Sequence, residues 1–183
     1  MNKAFHTVFK NMGPSFLVPW QRLLPFYDAF ITSDDPTQRQ WATCIMDDVL
    51  EYCGPQSWRF SDHIAQPLIN GMRDQNAANR QAASYGVGIA AQKGGEQWAE
   101  FVAASIETLF AVTRVPNARG EDEVFATENA CAAIAKILHF NSSKVPADAV
   151  QGIVESWIDT LPVVNDEEAA PYAYGFLGQL IER

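Results

Sequence analysis

The chain has 183 residues, of which 48% are hydrophobic and 19% are charged, and this composition suffices for one medium-sized domain with its own core. Its 22 acidic residues outnumber the 13 basic ones and give a net charge of −9, which repels nucleic-acid backbones and attracts basic partners. No apolar run approaches the roughly 20 residues that span a bilayer, so neither direct nucleic-acid binding nor membrane insertion is expected.

Two kinds of predicted helix alternate along the chain after a short helical segment at 3–11, and no segment shows the alternation of a β-strand. The first helix of each pair is predicted at 15–31, 57–73, 97–114 and 147–161, and the second helix at 34–54, 74–95, 121–140 and 165–183. We therefore expect an all-α fold of about four helix pairs, plus part of a preceding pair, in a single solenoid over 1–183.

The first two of these second helices share a sequence pattern that opens with polar turn residues and Arg-Gln and ends at a glycine. Arg39 and Arg80 are 41 positions apart, and so are Gly54 and Gly95. Such a period is typical of a solenoid, because one helix pair cannot bury its apolar face until the next pair stacks on it. We expect both arginines to form a structural ladder with the Asp-bearing turns of their own or neighbouring pairs.

Proline, glycine and polar turn residues mark the helix boundaries and contacts. The polar residues of each turn are predicted to cap the second helix that follows. Pro25, Pro67 and Pro162 fall late in three first helices, where a proline removes a backbone hydrogen bond and bends the helix. Gly86 and Gly88 lie inside the second helix at 74–95, where we expect them to let neighbouring helices approach closely.

No constellation in the sequence predicts catalysis, a metal site or a cofactor. Cys44, Cys53 and Cys131 lie in apolar helical patterns, so we expect buried, reduced thiols. The histidines lie far apart, without a second ligand at metal-binding spacing, and are predicted to be surface or packing residues: His6, His63 and His139. An enzyme is therefore not expected.

Acidic residues provide the candidate binding site. Asp47, Asp48 and Glu51 are predicted to lie on the exposed face of one second helix, and Glu128 on the exposed face of a later one. In a curved stack, second helices often line the concave surface, where carboxylates could accept Lys or Arg side chains from a basic partner. The alternative is a solvated acidic face without a binding role.

Aromatic and small residues indicate packing. Trp41 and Ala83 each begin the apolar pattern of a second helix, and we expect both at helix contacts. The remaining tryptophans are expected mostly to pack between pairs, although an exposed subset on first helices could hold hydrophobic peptides: Trp20, Trp58, Trp98 and Trp157.

Three segments carry a resemblance to a known family: "RQWATCIMDDVLEYCG" (39–54), "NRQAASYGVGIAAQKGG" (79–95) and "ATENACAAIAKILHF" (126–140). They resemble the C-terminal HEAT repeats of karyopherin-β nuclear import receptors, in the beta-three (importin five) branch. The similarity runs from about residue 19 to residue 182. Arg-Gln-Trp followed by Cys-Ile-x-Asp-Asp-Val is its most specific element.

The resemblance implies a right-handed superhelix of HEAT repeats from a longer receptor that shuttles through the nuclear pore between cytoplasm and nucleus. Such receptors bind cargo proteins through basic import signals, bind FG nucleoporins, and release cargo to GTP-bound Ran. The best-known signal site and the principal Ran contacts of the branch fall in other repeats, so the resemblance assigns no binding residue here. The alternative function is a HEAT-repeat scaffold subunit of another assembly, such as a phosphatase or a vesicle coat.

Overall fold

The computed structural model describes residues 3–182, and this part of the chain folds into eleven α-helices and three short 3₁₀ helices, without a β-strand. The α-helices are α1 (Lys3–Met12), α2 (Leu17–Gln21), α3 (Leu24–Ile31), α4 (Pro36–Cys53), α5 (Ser61–Met72), α6 (Ala77–Lys93), α7 (Glu96–Ala104), α8 (Ile106–Thr113), α9 (Val124–Phe140), α10 (Val150–Ile158) and α11 (Ala170–Ile181). The 3₁₀ helices are Gly13–Phe16, Gly54–Phe60 and Ser142–Lys144. The all-α prediction is confirmed, and Arg183, at the end of the last predicted helix, lies outside the described residues.

Helices of two kinds form two layers. The second helices α4, α6, α9 and α11 pack side by side in chain order, with α1 against the free side of α4. The first helices form the other layer: α2 with α3, then α5, then α7 with α8, then α10. Between the layers lies one continuous core, whose largest fully buried side chains include Trp20, Trp98, Trp157, Phe9, Phe60, Met46, Leu50, Ile64, Leu68, Leu109 and Ile134.

Two of the predicted first helices are each divided into two α-helices, which the apolar pattern did not indicate. The segment 15–31 contains part of a 3₁₀ helix, then α2 and α3, and Pro25 stands at the start of α3 rather than late in a helix. The segment 97–114 divides at Ser105, whose hydroxyl donates to the carbonyl of Phe101 at 2.8 Å. Hydrophobic spacing continues across both breaks, because only one or two residues separate the consecutive α-helices.

The other prolines differ in their effect. Pro67 lies inside α5, as predicted. Pro162 lies beyond the end of α10, in the connection to α11, so its predicted place late in a helix is wrong. The described helices also give no candidate for a membrane span, since none is both long and apolar enough.

Side-chain caps begin two of the four second helices, α4 and α6, as predicted, whereas α9 and α11 have none, so the prediction is wrong for those two helices. Asp35 Oδ1 accepts a hydrogen bond from the backbone N–H of Thr37 at 2.8 Å, at the start of α4. Asn76 Oδ1 accepts from the N–H groups of Ala78 at 3.0 Å and Asn79 at 3.3 Å, at the start of α6. These bonds satisfy backbone donors that have no partner within the helix.

The predicted arginine ladder is present. Arg39 Nε donates to Asp74 Oδ2 at 2.8 Å, and its Nη1 donates to the carbonyl of Ser33 at 2.7 Å. Arg80 repeats the arrangement one unit later: Nη1 donates to the carbonyl of Asp74 at 2.6 Å, and Nη2 pairs with the carboxylate of Glu123. Each arginine thus connects the turn of its own pair to the turn of the next pair.

Helix contacts confirm one of the two packing predictions and contradict the other. Ala83 is fully buried, in the contact between α6 and α5 near Gly71. Trp41 is 46% exposed, so its predicted place in a helix contact is wrong. Trp41 belongs to the first turns of α4, where its side chain is exposed whereas Ala42 beside it is buried.

Candidate functional site

The exposed side of the second-helix layer holds a groove of about 850 Å³, within the usual size range of binding pockets. It runs across α4, α6, α9 and α11 and reaches α1 at one end. Its lining combines small and polar side chains from these elements: His6, Gln40, Cys44, Asp47, Asp48, Glu51, Ala78, Gln81, Ala82, Ser84, Tyr85, Gly88, Ile89, Lys93, Asn129, Ala132, Ala133, Lys136, Asp166, Glu168, Ala169, Pro171 and Tyr172.

Small residues make the floor of the groove. A β-carbon on Gly88 would lie 3.2 Å from the Cα of Ala133, so the glycine lets α6 and α9 approach closely, as predicted. Gly86, two residues earlier, faces α4 and α5 in the same way, against Asp47 and Leu68. The groove is concave because the helices that form its floor carry little side-chain volume on that side.

Asp47 lies in the wall formed by α4, and its predicted exposure is wrong. The residue is only 6% exposed, and its Oδ1 has no hydrogen-bond partner. Burial raises the pKa of this carboxyl well above its ordinary value, and the charges of Asp48 and Glu51 raise it further. The periodicity of α4 shows one buried stripe, but α6 covers a second side of the helix.

Asp48 is also buried, at 9% exposure, which again contradicts the predicted exposed face. Its Oδ1 lies 2.8 Å from Nδ1 of His6, so α1 covers this side of α4. Burial raises the pKa of Asp48, and the hydrogen bond from His6 acts in the opposite direction without cancelling it. The predicted packing role of His6 is therefore confirmed by a contact between two helices.

Glu51 is half-buried and already has partners inside the fold. Oε1 accepts from Nζ of Lys93 at 2.9 Å, and Oε2 accepts from the hydroxyl of Tyr85 at 3.1 Å. Both partners belong to α6, so the pair helps to join α4 to α6. Of the three predicted carboxylates on α4, Asp47 alone lacks a hydrogen bond in the part of the chain that the structure describes.

Lys136 is a groove residue that the sequence analysis did not select. It is 6% exposed, and its Nζ lies 3.9 Å from the ring centroid of Tyr172 and 5.7 Å from that of Tyr85. Burial lowers the pKa of Lys136 to about 8, although the nearby carboxylate of Glu51 favours the charged form. A lysine inside the apolar stretch "AAIAKIL" was the signal that could have indicated it.

Glu128 is completely buried, so its predicted place on an exposed face is wrong. Its carboxylate accepts backbone N–H bonds from Val164 at 3.0 Å, Asn165 at 2.8 Å and Asp166 at 2.7 Å. Burial alone would raise the pKa of Glu128, but these hydrogen bonds outweigh it and lower the pKa below its ordinary value. Glu128 thus organises the connection between α10 and α11 and does not line the groove.

Other ionisable side chains serve packing. His63 Nδ1 lies 2.9 Å from Oδ1 of Asp28, which links α5 to α3, and His139 is exposed. Cys53 and Cys131 are buried free thiols, and Cys44 is half-buried in the groove wall. Within residues 3–182, no group of three or more His, Cys, Asp or Glu side chains has an arrangement that could hold a metal ion.

Paired helices in two layers, a repeat of 41 residues and the arginine ladder define the fold as a HEAT-repeat α-solenoid. The crystal structure of Kap121p bound to RanGTP matches it with a TM-score of 0.86 and 29% sequence identity, over 100% of this chain and 17% of that chain. Kap121p bound to Nup53p matches with a TM-score of 0.84 and 28% identity, over 98% of this chain and 16% of that chain.

The sequence relatives agree with the structures. Importin subunit beta-3 of Saccharomyces cerevisiae is 31% identical over 182 residues, which is 100% of this chain and 16% of the relative. The probable importin-5 homolog of Dictyostelium discoideum is 26% identical over 130 residues, 69% of this chain and 12% of the relative. The family description "Importin repeat 6" matches residues 1–33. The chain is therefore homologous to importin subunit beta-3, which confirms the resemblance to karyopherin-β receptors, and it spans about a sixth of that relative's length.

Proposed function

We propose that this chain is part of a nuclear import receptor that binds cargo proteins and FG nucleoporins and is regulated by GTP-bound Ran. The observation that supports this function best is homology over the whole chain to importin subunit beta-3. The matching structures of Kap121p include complexes with RanGTP, Nup53p and Pho4p. On this proposal the protein shuttles between cytoplasm and nucleus, catalyses no reaction, and belongs among the C-terminal repeats of the receptor.

The groove is our candidate for contact with the basic import signal of a cargo. Its lining holds five carboxylates against two lysine ammonium groups; the carboxylates are Asp47, Asp48, Glu51, Asp166 and Glu168, and the lysines are Lys93 and Lys136. Such an excess favours a basic segment and accelerates its encounter with the groove.

The three carboxylates of α4 would contribute differently. Asp47 lines the groove and accepts no hydrogen bond from the described residues, so a partner ammonium group would give its carboxylate a first ion pair, although Oδ1 itself is enclosed against Gly86 and is not the oxygen that such a group reaches. Asp48 and Glu51 would first have to give up their contacts with His6 and Lys93. Their net contribution to the binding free energy would therefore be smaller. We therefore expect Asp47 to contribute most to the affinity.

The decisive experiment is import in permeabilised cells with the full-length protein, Ran and a fluorescent reporter that carries a lysine-rich signal. We expect nuclear accumulation of the reporter, and we expect Ran locked in its GTP form to prevent its binding. A receptor that binds the reporter equally with and without GTP-bound Ran would refute the proposal and favour a scaffold of another assembly.

A paired-variant measurement tests the groove itself. Asp47→Asn with Glu51→Gln should weaken binding of a lysine-rich peptide at low salt, and the difference should shrink towards ~0.5 M salt because ions screen the charges. The matched control is Asp62→Asn with Glu107→Gln, which removes two exposed carboxylates from the first helices α5 and α8. Equal affinities of the two double variants would exclude the groove as the signal site.

A further inference from the structure

Lys136 is a buried cation without an anion. It is 6% exposed, and unlike Lys93 and Lys144 it forms no ion pair with a carboxylate in the described part of the chain. It also donates no hydrogen bond there, and its ammonium group contacts the faces of Tyr172 and Tyr85. A buried charge of this kind is unfavourable until a partner of opposite sign reaches it.

The carboxylates nearest to Lys136 cannot readily neutralise it, because they serve other groups. Glu51 accepts from Lys93 and Tyr85. Asp166 accepts from the side chain of Asn129 at 2.7 Å, and its other oxygen accepts from the backbone N–H groups of Glu168 and Ala169, just before α11. Movement of Glu51 towards Lys136 would break bonds between α4 and α6, and movement of Asp166 would break bonds that hold the connection before α11 to α9.

The unpartnered cation and the unpartnered carboxylate of the groove lie on opposite sides of α6. Gly86 faces Asp47, whereas Gly88 faces the aliphatic stem of Lys136 at 3.4 Å from the position of an added β-carbon. Positions two apart on an α-helix point about 200° away from each other, so α6 separates the two charges. A helix with its side chains is about 10 Å wide, which an extended chain covers in three to four residues at about 3.3 Å each.

We propose that Lys136 receives the carboxylate of an Asp or Glu side chain from an extended segment of a partner protein that lies along the groove. This inference rests on the proposed role of the groove in partner binding and specifies the segment. A basic side chain of the segment reaches Asp47, and an acidic side chain three or four residues away reaches Lys136. The groove thus selects a segment of mixed charge rather than a purely basic one.

Charge complementarity favours this occupant over two others. A segment with only Lys and Arg would place a second cation beside Lys136, whose ammonium group already lacks an anion. A nucleic acid or another polyanion would meet five groove carboxylates and a net charge of −9. A basic segment that contains one carboxylate provides a cation for Asp47 and an anion for Lys136.

Selection of random 12-residue peptides on phage tests the inference with the full chain as target. Peptides enriched on the parent protein should carry an Asp or Glu three or four positions from a Lys or Arg. Lys136→Met keeps the stem and removes the charge, and it should reduce enrichment of the acidic position about tenfold, as expected for one lost charge-assisted contact. The matched control Lys144→Met removes a lysine outside the groove, which Glu96 and Glu100 already pair, and should retain the acidic position.

Three outcomes would overturn the inference: enriched peptides with basic residues alone, the same acidic preference in Lys136→Met, or no enrichment on the parent. Thermal unfolding of Lys136→Met should match or exceed that of the parent, which shows that a changed selection does not reflect unfolding. Ran-sensitive import of a lysine-rich reporter together with any of these outcomes would remove the inference and leave the proposed function intact. Loss of Ran sensitivity would instead remove the proposed function.

Discussion

Oδ1 of Asp47 rests on the bare backbone of Gly86, in the space that a β-carbon at that position would occupy. The glycine therefore makes room for a carboxylate in the seam between α4 and α6, where no donor reaches that oxygen. Because an unpaired buried carboxylate is unfavourable when charged, the seam is less stable than an equivalent apolar contact would be.

Asp47→Asn should raise the free energy of unfolding at pH 7 by about 1 kcal/mol or more, because the amide removes the buried charge. Burial raises the pKa of Asp47 above its ordinary value of 3.8, so the folded state keeps this proton to a higher pH than the unfolded state. Stability of the parent consequently falls as pH rises above about 4, and the advantage of the variant should disappear below it. Chemical denaturation at pH 3.5 and pH 7 measures the free energy of unfolding of parent and variant at each pH. The control is the exposed substitution Asp62→Asn, which should change the free energy of unfolding at neither pH.

Glycine substitutions test the close helix contacts. Gly86→Ala should destabilise the fold by about 1–3 kcal/mol, because its β-carbon would collide with Asp47 and lie 2.8 Å from Leu68 Cδ2. Gly152→Ala in α10 meets nothing within 4 Å and should stabilise by about 0.5–1 kcal/mol through helix propensity. Equal melting temperatures of the two variants would contradict the packing described for α6.

The sequence repeat predicted the structural features that successive helix pairs share. Arg39 and Arg80 form the ladder because each repeat must connect its turn to the next one. Asn76 caps its helix and Gly88 admits a close neighbour, as local chemistry requires in any solenoid. The arginines and the helix caps recur at equivalent positions, so two copies of the pattern were enough to identify them.

The candidate site was harder to predict, because exposure in a layered fold depends on more than one helix. The single apolar stripe of α4 left Asp47 and Asp48 on the predicted outer side, but α6 and α1 pack there. Glu128 was placed on an exposed face for the same reason, although the chain returns over it 36 residues later, at Val164. Lys136 was missed because the apolar sequence around a lysine does not show whether a carboxylate pairs with it in the fold.

The two ladder arginines should differ in their contribution to stability. Arg80→Met should lower the free energy of unfolding by about 3 kcal/mol, because it leaves the carboxylate of Glu123 and two backbone carbonyls without their donor in a buried site. Arg39→Met should lower it by about 1 kcal/mol, because that side chain is 26% exposed and water can replace it. Urea titration of both variants measures their free energies of unfolding. A larger decrease for Arg39→Met than for Arg80→Met would contradict the prediction that Arg80 contributes more to stability.

Ala83→Asp should destabilise the fold by about 2 kcal/mol or more, because it would place an unpaired carboxylate in the fully buried contact between α6 and α5. Ala111→Asp is the control, since Ala111 lies on the exposed side of α8. Differential scanning calorimetry of both variants measures the effect. Coincident transitions for Ala83→Asp and the parent would show that this helix face is wrongly assigned.

Glu128→Gln should destabilise the fold by about 2–3 kcal/mol at pH 7, because a neutral amide replaces a buried carboxylate that accepts three backbone N–H bonds. The hydrogen bonds lower the pKa of Glu128 below its ordinary value of 4.5, so the unfolded state takes up this proton first as pH falls. The stability that Glu128 provides is therefore complete above about pH 5 and is lost as pH falls through the lowered pKa. The difference in free energy of unfolding between the parent and Glu128→Gln should disappear over that range. Glu107→Gln, on the exposed side of α8, should not differ from the parent at any pH. A difference in free energy of unfolding that stays constant from pH 7 to pH 3 would mean that Glu128 stabilises the fold through packing and not through its charge.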